Sequence, residues 1–560
     1  MKLVSAAIVG LVVLQGRAAE APADLIVTGR VWTAETGNPW AEAVAIRDGR
    51  IAFVGSAQQA AAFSGPKTQK VAAGARLVLP GFNDAHVHMV SGALSLERVD
   101  VIEDLTLAAV QARIKAFAAA HPANEWVVGR GWLYGSFPGG LPTKQQLDAV
   151  VPDRPAYIEC YDGHSGWANS KALALAGITK DTKDPKNGVI VRDPATGEPT
   201  GALKEAASGL VDAKIPLPGP EGQYQLLLKA MQYLNSLGIT SAQDAALEPK
   251  DVPLFERAER EGRLSVRLQM SPVMGQDDYP KVVAETQELT QKYNSALLRF
   301  GSVKGFVDGV IEAHTAAMLA PYSDDASFGL GLPNWRPEEL DKAVIAADAA
   351  GLQVRLHAIG DRGVRMALDA HEAALKANGR NDRRGRIEHI ETIDAADYPR
   401  FKQLGVVASM QPLHANPDQN NFEVWSRNIG LDRSGRGFSW AAIEKAGGRL
   451  VFGSDWPVVT PDVFRGLYCA VTRKTREGTP AGGWHPELAV SLESALRHYT
   501  IDAAYMSFED GEKGSLAVGK RADLAVLSED LFKTTPETIL KTKVLLTLLE
   551  GRVVYRAPGF

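Results

Sequence analysis

Short runs at both ends of the chain alternate apolar and polar residues. "LIVTGRVWT" and "AVAIRDGRIAFVG" lie near the start, and "VLLTLLEGRVVYR" lies near the end. A period of two is typical of strands that bury one face, and the Asp48-Gly49 pair predicts a tight hairpin turn. We therefore predict that residues 24–75 and 513–556 form one small β-sandwich domain, in which the two ends of the chain meet.

Between these ends, strand-like runs alternate with helical patterns. This order favours a parallel sheet or barrel over an antiparallel sandwich. Eight such runs fit an α/β fold of the (β/α)8 TIM-barrel type, which normally needs only about 250 residues. We predict this barrel at residues 76–512, with a large insertion after the first strand at about residues 89–237. The runs are "RLVLPGFNDAHVH", "GITSAQDA", "LSVRLQM", "RFGSVKGFVDG", "LQVRLHAIG", "RIEHIE", "VVASMQPLH" and "RLVFGSDWPV".

Residues that can bind a metal end several of these runs. In "PGFNDAHVHMV", one residue separates His86 from His88, so both project from the same side of a strand. Barrel enzymes place their reactive groups at the C-terminal ends of strands, and a buried lysine or aspartate is costly unless it is paired or metal-bound. We therefore predict that six side chains converge on one metal-binding rim. They are His86, His88, Lys304, His357, His389 and Asp455.

Composition narrows the class of protein and its partners. With 45% apolar and 23% charged residues, the chain of 560 residues is predicted to fold into one large and one smaller globular domain. The net charge is -5 and no dense basic run is present, so no nucleic-acid partner is expected. Cys160 and Cys469 are the only cysteines in the sequence and do not form a metal-spaced pair, which excludes a cysteine zinc site.

The start of the chain is typical of an export signal. "MKLVSAAIVGLVVLQGRAAEAP" places one lysine before an apolar run and small residues after it, and cleavage is predicted after Ala18. The run is shorter than the roughly 18 apolar residues of a membrane-spanning helix, and no later segment reaches that length. We expect residues 1–18 to be a signal peptide and the mature protein to be periplasmic or secreted, without a stable membrane span. An uncleaved interfacial anchor is the alternative.

Motifs along nearly the whole predicted mature chain indicate one family. They are "PGFNDAHVH", "DGHSGWANSKAL", "TGALKEAA", "VKGFVDG", "LHAIGD", "RIEHIE", "SMQPLH", "FGSDWPV" and "KGSLAVGKRADLAVL". Together they resemble the amidohydrolase superfamily of metal-dependent hydrolases, specifically the amidohydrolase 3 branch that contains N-substituted formamide deformylases. The resemblance implies hydrolysis of a carbon–nitrogen bond other than an ordinary peptide bond, in a small-molecule substrate of the amide type.

The resemblance also implies how the metal is held. In this family a first-strand His-x-His pair, a fourth-strand lysine, two further histidines and an eighth-strand aspartate bind one or two divalent ions. Zinc suits such a mixed set of nitrogen and oxygen ligands, with manganese or iron as alternatives. Lys304 would be carboxylated, since metal cations repel an unmodified lysine. The competing arrangements are a bridge through Glu205 and an unmodified Lys304 that pairs with Asp308.

A catalytic role is predicted for Asp455. A bound divalent ion makes hydroxide available at neutral pH by lowering the pKa of its water. Asp455 is expected to accept a proton from the attacking water and to deliver it to the leaving nitrogen. Esterase or lactonase activity at the same site is an alternative, and so is a non-catalytic exported protein that binds a metal or solute. A nucleophile at Ser165 is disfavoured, because "GHSGW" lacks the final glycine of a Gly-x-Ser-x-Gly elbow.

The insertion is expected to supply the wall of the substrate pocket. It contains Trp132 and His164, whose aromatic and polar atoms can pack against a ligand and hydrogen-bond its carbonyl. Core packing is the alternative for Trp132, and a loop cap is the alternative for His164. The family resemblance favours the pocket for His164, and it adds Gln411 and His414 in "SMQPLH" as substrate-binding residues.

Overall fold

The fold was obtained as a computed structural model. The predicted signal peptide at residues 1–18 and the predicted pocket residue His164 lie outside the described residues, and the side chain of Glu205 is not described. Among the described residues, every helix falls short, in length or in apolar content, of what a bilayer-spanning segment needs. The described residues are 21–161, 165–185, 188–312, 314–380 and 382–560.

Strands recur along the described chain and group into four sheets. In the first part of the chain they are β1 (Leu25–Trp32), β2 (Trp40–Arg47), β3 (Arg50–Gly55), β4 (Gln69–Pro80), β5 (Phe82–Val87), β6 (Val99–Asp100), β7 (Val127–Trp132), β8 (Ala156–Cys160), β9 (Ser165–Ala168), β10 (Gly188–Arg192) and β11 (Pro199–Glu205). The later strands are β12 (Ile239–Leu247), β13 (Arg267–Pro272), β14 (Leu298–Arg299), β15 (Ser302–Phe306), β16 (Gln353–Ala358), β17 (Arg386–His389), β18 (Val407–Met410), β19 (Arg449–Phe452), β20 (Leu524–Leu527), β21 (Val544–Leu549) and β22 (Arg552–Arg556).

Helices separate most of the later strands. The α-helices are α1 (Ala57–Ala60), α2 (Met89–Ser95), α3 (Leu107–Ala120), α4 (Lys144–Asp148), α5 (Ser170–Leu175), α6 (Gly209–Asp212), α7 (Pro220–Ser236), α8 (Val252–Arg260), α9 (Tyr279–Lys292), α10 (Pro337–Ala349), α11 (Asp361–Asn378), α12 (Tyr398–Leu404), α13 (Ser426–Ser434), α14 (Trp440–Lys445), α15 (Val463–Thr472), α16 (Leu492–His498), α17 (Ile501–Met506) and α18 (Pro536–Ile539). The alternation from β12 to β19 gives the α/β character expected from the sequence.

Seven strands from both ends of the chain form one sheet, in the order β22-β21-β20-β4-β1-β2-β3. We call it the composite sheet. β2 and β3 form the predicted hairpin, in which Arg47 pairs with Arg50. Asp48 (φ 52°) and Gly49 (φ 74°) both have positive φ, as a type I′ turn requires. The sheet places the N-terminal and C-terminal segments of the chain side by side.

Gly81 separates the composite sheet from the parallel strands. β4 ends at Pro80 and β5 begins at Phe82, so the first predicted run contains the end of one strand and the whole of the next. A Cβ atom on Gly81 would lie 2.3 Å from the hydroxyl oxygen of Thr240. Glycine therefore allows the chain to pass close to β12 as it leaves one sheet for the other.

Eight parallel strands match the eight predicted runs. β5, β12 and β13 belong to a sheet with the order β14-β13-β12-β5, and β15 to β19 form a second sheet in chain order. Two isolated parallel bridges connect these sheets: Val87 of β5 pairs with Trp456 after β19, and Val273 after β13 pairs with Lys304 of β15. The C-terminal ends of the eight strands therefore lie on one side of the molecule.

The segment between β5 and β12 covers residues 89–237, where the sequence predicts a large insertion. Its strands form a sheet with the order β10-β11-β9-β8-β7-β6. Val99, Trp132 and Ile158 belong to an apolar core that lies within this segment. The insertion therefore has its own packing, and α7 leads the chain back to β12.

Arg267 links the parallel strands to the composite sheet. Its guanidinium nitrogens lie 2.7 Å and 3.1 Å from the two carboxylate oxygens of Asp523 and 3.0 Å from Glu550. Arg267 is 3% exposed and Asp523 is 5% exposed. Removal of the arginine would leave the Asp523 carboxylate buried without its partner, which costs more than the pair contributes.

We predict that Arg267→Met lowers the free energy of unfolding by about 3–5 kcal/mol. The matched control is Arg336→Met, because the Arg336 side chain is 71% exposed and lies 3.6 Å from Glu339. The loss in this control should stay below about 1 kcal/mol. Urea denaturation followed by circular dichroism measures both losses. Equal losses in the two variants would contradict the importance of the buried pair.

Candidate metal centre

Backbone pairing holds Asp455 against the first-strand histidines. The Asp455 N–H donates to the His86 carbonyl at 2.7 Å, and the His88 N–H donates to the Trp456 carbonyl at 2.8 Å. This pairing brings Oδ1 of Asp455 to 2.9 Å from Nε2 of His88 and 3.3 Å from Nε2 of His86. One carboxylate oxygen therefore faces two imidazole nitrogens.

Asp84 fixes the loop that carries Asp455. Its buried carboxylate accepts the Ser454 N–H at 2.9 Å, the Ser454 hydroxyl at 2.6 Å and the His86 N–H at 3.2 Å. Burial raises the pKa of Asp84 to about 6. Through Ser454, the residue before Asp455, these contacts join the segment after β19 to β5.

His389 reaches the same place through an uncommon backbone turn. In a regular strand, Glu388 and His389 would face opposite sides. Here Glu388 lies 2.7 Å from Nδ1 of His86, and the centroid of the His389 ring lies 4.9 Å from that of the His86 ring. His389 (φ 75°) and Ile390 (φ 52°) both have positive φ, which is strained for the β-branched Ile390. Such strain is concentrated at functional sites.

His357 and Lys304 lie on the neighbouring strands β16 and β15. The centroid of the His357 ring lies 4.5 Å from that of His389, and Nε2 of His357 lies 3.2 Å from the Gly309 carbonyl. Lys304 is fully buried, and its Nζ has no hydrogen-bond partner in the described part of the chain. Burial lowers the pKa of Lys304 to about 8. A fully buried amine without a partner is well suited to modification or to a ligand role.

The alternative in which Lys304 pairs with Asp308 is wrong. Asp308 instead accepts three backbone N–H groups, from Ala317, Ile359 and Gly360, at 2.8–3.0 Å. These bonds already satisfy the Asp308 carboxylate, and they hold the segment after β15 against the segment after β16. Asp308 therefore organises the loops beside His357 and leaves the Lys304 amine free.

The cluster has the donor atoms and the unmet contacts expected of a cation site. Within the described residues, buried His86 Nε2 lacks a hydrogen-bond partner, and it lies 3.3 Å from Oδ1 of Asp455. Ligand atoms of His86, His389 and Asp455 all lie within 4.8 Å of one another. Burial lowers the pKa of His86 to about 3 and that of His357 to about 4, so both imidazoles are neutral and can donate a lone pair. Neutral imidazoles and a carboxylate fit a divalent ion.

The Asp455 carboxylate is ionised in this setting. Burial alone would raise the pKa of Asp455. The adjacent His86 and His88 outweigh this effect and hold the pKa well below its usual range. The positive φ of Asp455 (61°) is a second uncommon backbone conformation at this site. An anionic oxygen is therefore presented to the imidazoles from the end of β19.

Two of the predicted substrate-binding residues lie beside the cluster. Oε1 of Gln411 lies 2.9 Å from Nδ1 of His389, so Gln411 orients that ring. The His414 ring is parallel to His389 within 2°, and its Nε2 lies 3.6 Å from Oδ2 of Asp455. The other His414 nitrogen lies 3.6 Å from Glu391. Gln411 thus supports a predicted ligand, whereas His414 faces the carboxylate.

Trp132 has a packing role instead of the expected place in a pocket wall. It is fully buried, and its indole N–H donates to the Ile158 carbonyl at 2.9 Å. Its ring packs edge-on against Tyr134 and Phe137. Because the core of the insertion encloses the side chain, the core-packing alternative for Trp132 is the one that agrees with the structure.

Sequence reasoning missed the charged residues behind the histidines. Arg355, Arg386 and Glu388 are all fully buried. A signal for them was present, because Arg355 alternates with His357 in "VRLHA" and Arg386 alternates with Glu388 in "RIEH". Charged residues on the same strand face as a candidate ligand indicate a polar interior beneath the site.

Comparison with known proteins shows the family of this chain. A family model described as "Amidohydrolase family" matches residues 69–555. The chain belongs to the amidohydrolase family. The resemblance inferred from its motifs is thereby confirmed, and the protein is a hydrolase.

This amidohydrolase is similar to curated proteins over nearly its whole length. It is 32% identical to "Protein LONG AFTER FAR-RED 3" of Arabidopsis thaliana, over 95% of this chain and 92% of that protein. It is 29% identical to "N-substituted formamide deformylase" of Arthrobacter pascens, over 96% of this chain and 98% of that protein.

A solved structure agrees with the family. An uncharacterized metal-dependent hydrolase from Pyrococcus horikoshii OT3 matches with a TM-score of 0.72 and 25% identity, over 91% of this chain and 99% of that chain. The α/β fold is therefore of the amidohydrolase type, and the His86, His389 and Asp455 cluster lies in a fold that this metal-dependent hydrolase shares.

We predict that the affinity of the apoprotein for Zn²⁺ falls by less than about tenfold between pH 7 and about pH 5.5. The pKa values of His86 (about 3) and His357 (about 4) lie below this interval, so protons do not compete for these imidazoles there. Competition with a chromophoric chelator at each pH measures the affinity. A fall of about a hundredfold or more would contradict the prediction, because it is the effect of two imidazoles with the ordinary pKa near 6.5.

Proposed function

We propose that this protein is a metal-dependent amidohydrolase that hydrolyses a carbon–nitrogen bond other than a peptide bond. The observation that carries the proposal is the contact of the buried Asp455 carboxylate with His88 at 2.9 Å and His86 at 3.3 Å. The family and the similarity to an N-substituted formamide deformylase support an amide-type, small-molecule substrate.

The proposed cofactor is a divalent ion, with zinc as the best match to the donor set. When bound, such an ion lowers the pKa of a water molecule and polarises a carbonyl oxygen. The neutral imidazoles and the free buried atoms described above are the features of this chain that support it. The residues that would hold one or two ions are His86, His88, Lys304, His357, His389 and Asp455.

Asp455 is the proposed general base and acid. It is ionised, it is 5% exposed, and its Oδ1 lies 2.9 Å from Nε2 of His88 and 3.3 Å from Nε2 of His86. An ionised carboxylate in this position can take a proton from an attacking water and pass it to the leaving nitrogen. His414 Nε2, 3.6 Å from Oδ2 of Asp455, is placed to contact a substrate on the same side.

The architecture proposed for this function has three parts. Residues 76–512 form a (β/α)8 barrel, which is supported by the two bridges that join the parallel sheets, one beside β5 and one beside β13. Residues 24–75 and 513–556 form a small β-sandwich domain, which is supported by the composite sheet. Residues 1–18 are a signal peptide, so the mature enzyme is periplasmic or secreted. The mass of protein recovered outside the cytoplasm tests this last point, since it should lack residues 1–18.

Asp455→Asn tests the proposed function. We expect turnover to fall by about a hundredfold to ten-thousandfold, because the amide cannot shuttle a proton, while the protein keeps bound metal. A hydrolysis screen of N-substituted formamides, N-acyl amino acids, cyclic amides and esters measures turnover, and elemental analysis measures metal. The matched control is Asp432→Asn, since the Asp432 side chain is 90% exposed. Full turnover in Asp455→Asn would refute the role of Asp455.

Lys304 is expected to carry a carboxyl group. The amine is fully buried without a hydrogen-bond partner in the described structure, and burial lowers its pKa to about 8, so the neutral form that reacts with carbon dioxide is accessible. Native mass spectrometry should show the added mass of one carboxyl group, and Lys304→Ala should lack it. Lys513→Ala is the matched control, because Lys513 is buried but pairs with Glu509 at 3.0 Å. An unmodified mass for the native protein would overturn this assignment.

A further inference from the structure

The polar interior beneath the candidate metal centre contains a buried cluster of two arginines and one glutamate. Arg355, Arg386 and Glu388 lie on the adjacent strands β16 and β17, and none of them is exposed. Oε1 of Glu388 accepts from Nε of Arg386 at 2.5 Å and from Nε of Arg355 at 3.4 Å. We call this group the Arg–Glu–Arg cluster. A buried ion cluster of this kind is seldom a source of stability by itself, so it calls for another explanation.

The second oxygen of Glu388 contacts a predicted metal ligand. Oε2 of Glu388 lies 2.7 Å from Nδ1 of His86. Its other oxygen accepts from both guanidinium groups, so Glu388 is a carboxylate between two cations and can only accept from His86. The hydrogen of the neutral His86 ring must therefore lie on Nδ1, which leaves the lone pair on Nε2.

The Nε2 atom of His86 is the one that faces the candidate centre. It lies 3.3 Å from Oδ1 of Asp455 and has no hydrogen-bond partner within the described residues. A histidine that donates its other ring N–H to a carboxylate has a fixed tautomer, a fixed ring orientation and a more basic ligand atom. The contact with Glu388 therefore determines that Nε2 of His86, and not Nδ1, is the atom available to a metal.

The same arginines hold the backbone next to His86. Nη2 of Arg355 donates to the Ala85 carbonyl at 3.1 Å, and Nη2 of Arg386 donates to the same carbonyl at 2.5 Å. Nη1 of Arg355 donates to the Asp244 carbonyl at 2.6 Å, and Nη1 of Arg386 donates to Oε1 of Gln243 at 2.7 Å. Because these donors are used on β5 and β12, neither guanidinium can move without breaking contacts on several strands.

We propose that Glu388, clamped between Arg355 and Arg386, is a positioning residue that sets the tautomer and orientation of His86 for metal binding. The inference rests on the proposed function for its metal, but its readout is metal affinity and requires no turnover. If the protein binds Zn²⁺ in a Glu388-dependent way and hydrolyses nothing, the proposed function fails while this inference stands.

A double-mutant cycle on the full chain tests the proposal. The variants are Glu388→Gln, His86→Ala and the double variant, and the measured quantity is Zn²⁺ affinity by competition with a chromophoric chelator. Glu388→Gln should weaken Zn²⁺ binding by about 10- to 100-fold. The double variant should bind no more weakly than His86→Ala, because Glu388 acts through His86. Wild-type affinity in Glu388→Gln, or losses that multiply in the double variant, would overturn the proposal.

Glu388→Asp separates positioning from a general loss of structure. Aspartate keeps the negative charge between the arginines but retracts the carboxylate by one methylene from His86, so Zn²⁺ affinity should fall although the apoprotein keeps its circular dichroism spectrum. The matched control is Glu509→Gln. Glu509 is also buried and pairs with a cation, Lys513, at 3.0 Å, so this variant should leave Zn²⁺ affinity unchanged. Wild-type Zn²⁺ affinity in Glu388→Asp, or an equal loss in Glu509→Gln, would refute the positioning role.

Discussion

The structure depends on one carboxylate oxygen that faces two imidazoles, those of His86 and His88, at the junction of the first and last parallel strands. The Asp455 N–H bond to the His86 carbonyl and the bridge between Val87 and Trp456 create this junction. A buried carboxylate, and an imidazole nitrogen such as His86 Nε2 that has no hydrogen-bond partner within the described residues, are costly unless a further group satisfies them. The arrangement is therefore best understood as a preformed receptor for a cation.

The unfavourable backbone conformations and buried charges that this receptor requires lie on several surrounding strands and loops. Positive φ at His389 and at Ile390 forms the turn that carries His389, and the buried carboxylates of Asp84 and Asp308 hold neighbouring loops together. The Arg–Glu–Arg cluster places further charged side chains in the buried interior beneath the site. Each of these features helps to hold the side chains of the candidate metal centre in position, and none is explained by packing alone.

Much of this arrangement could be predicted from the sequence, because periodicity and strand-end residues are local signals. Each of the eight runs overlaps a parallel strand, and His86, His357, His389 and Asp455 do lie together. For Trp132, the sequence did not decide between a pocket wall and core packing, since periodicity does not tell which core encloses an aromatic ring. The contact of Glu388 with His86 was not predicted. Glu388 and His389 both lie beside His86 because His389 has positive φ, and no pattern in "RIEHIE" reveals this backbone turn.

The central claim is that these strand ends bind a common metal ion. Anomalous diffraction from crystals of the protein, collected on both sides of the zinc absorption edge, tests it most directly. The account predicts a peak bonded to Nε2 of His86, Nε2 of His88 and Asp455, at about 2.0–2.2 Å from each. A peak bound to other residues, or occupied crystals in which His86 and Asp455 still contact each other and no metal, would contradict it.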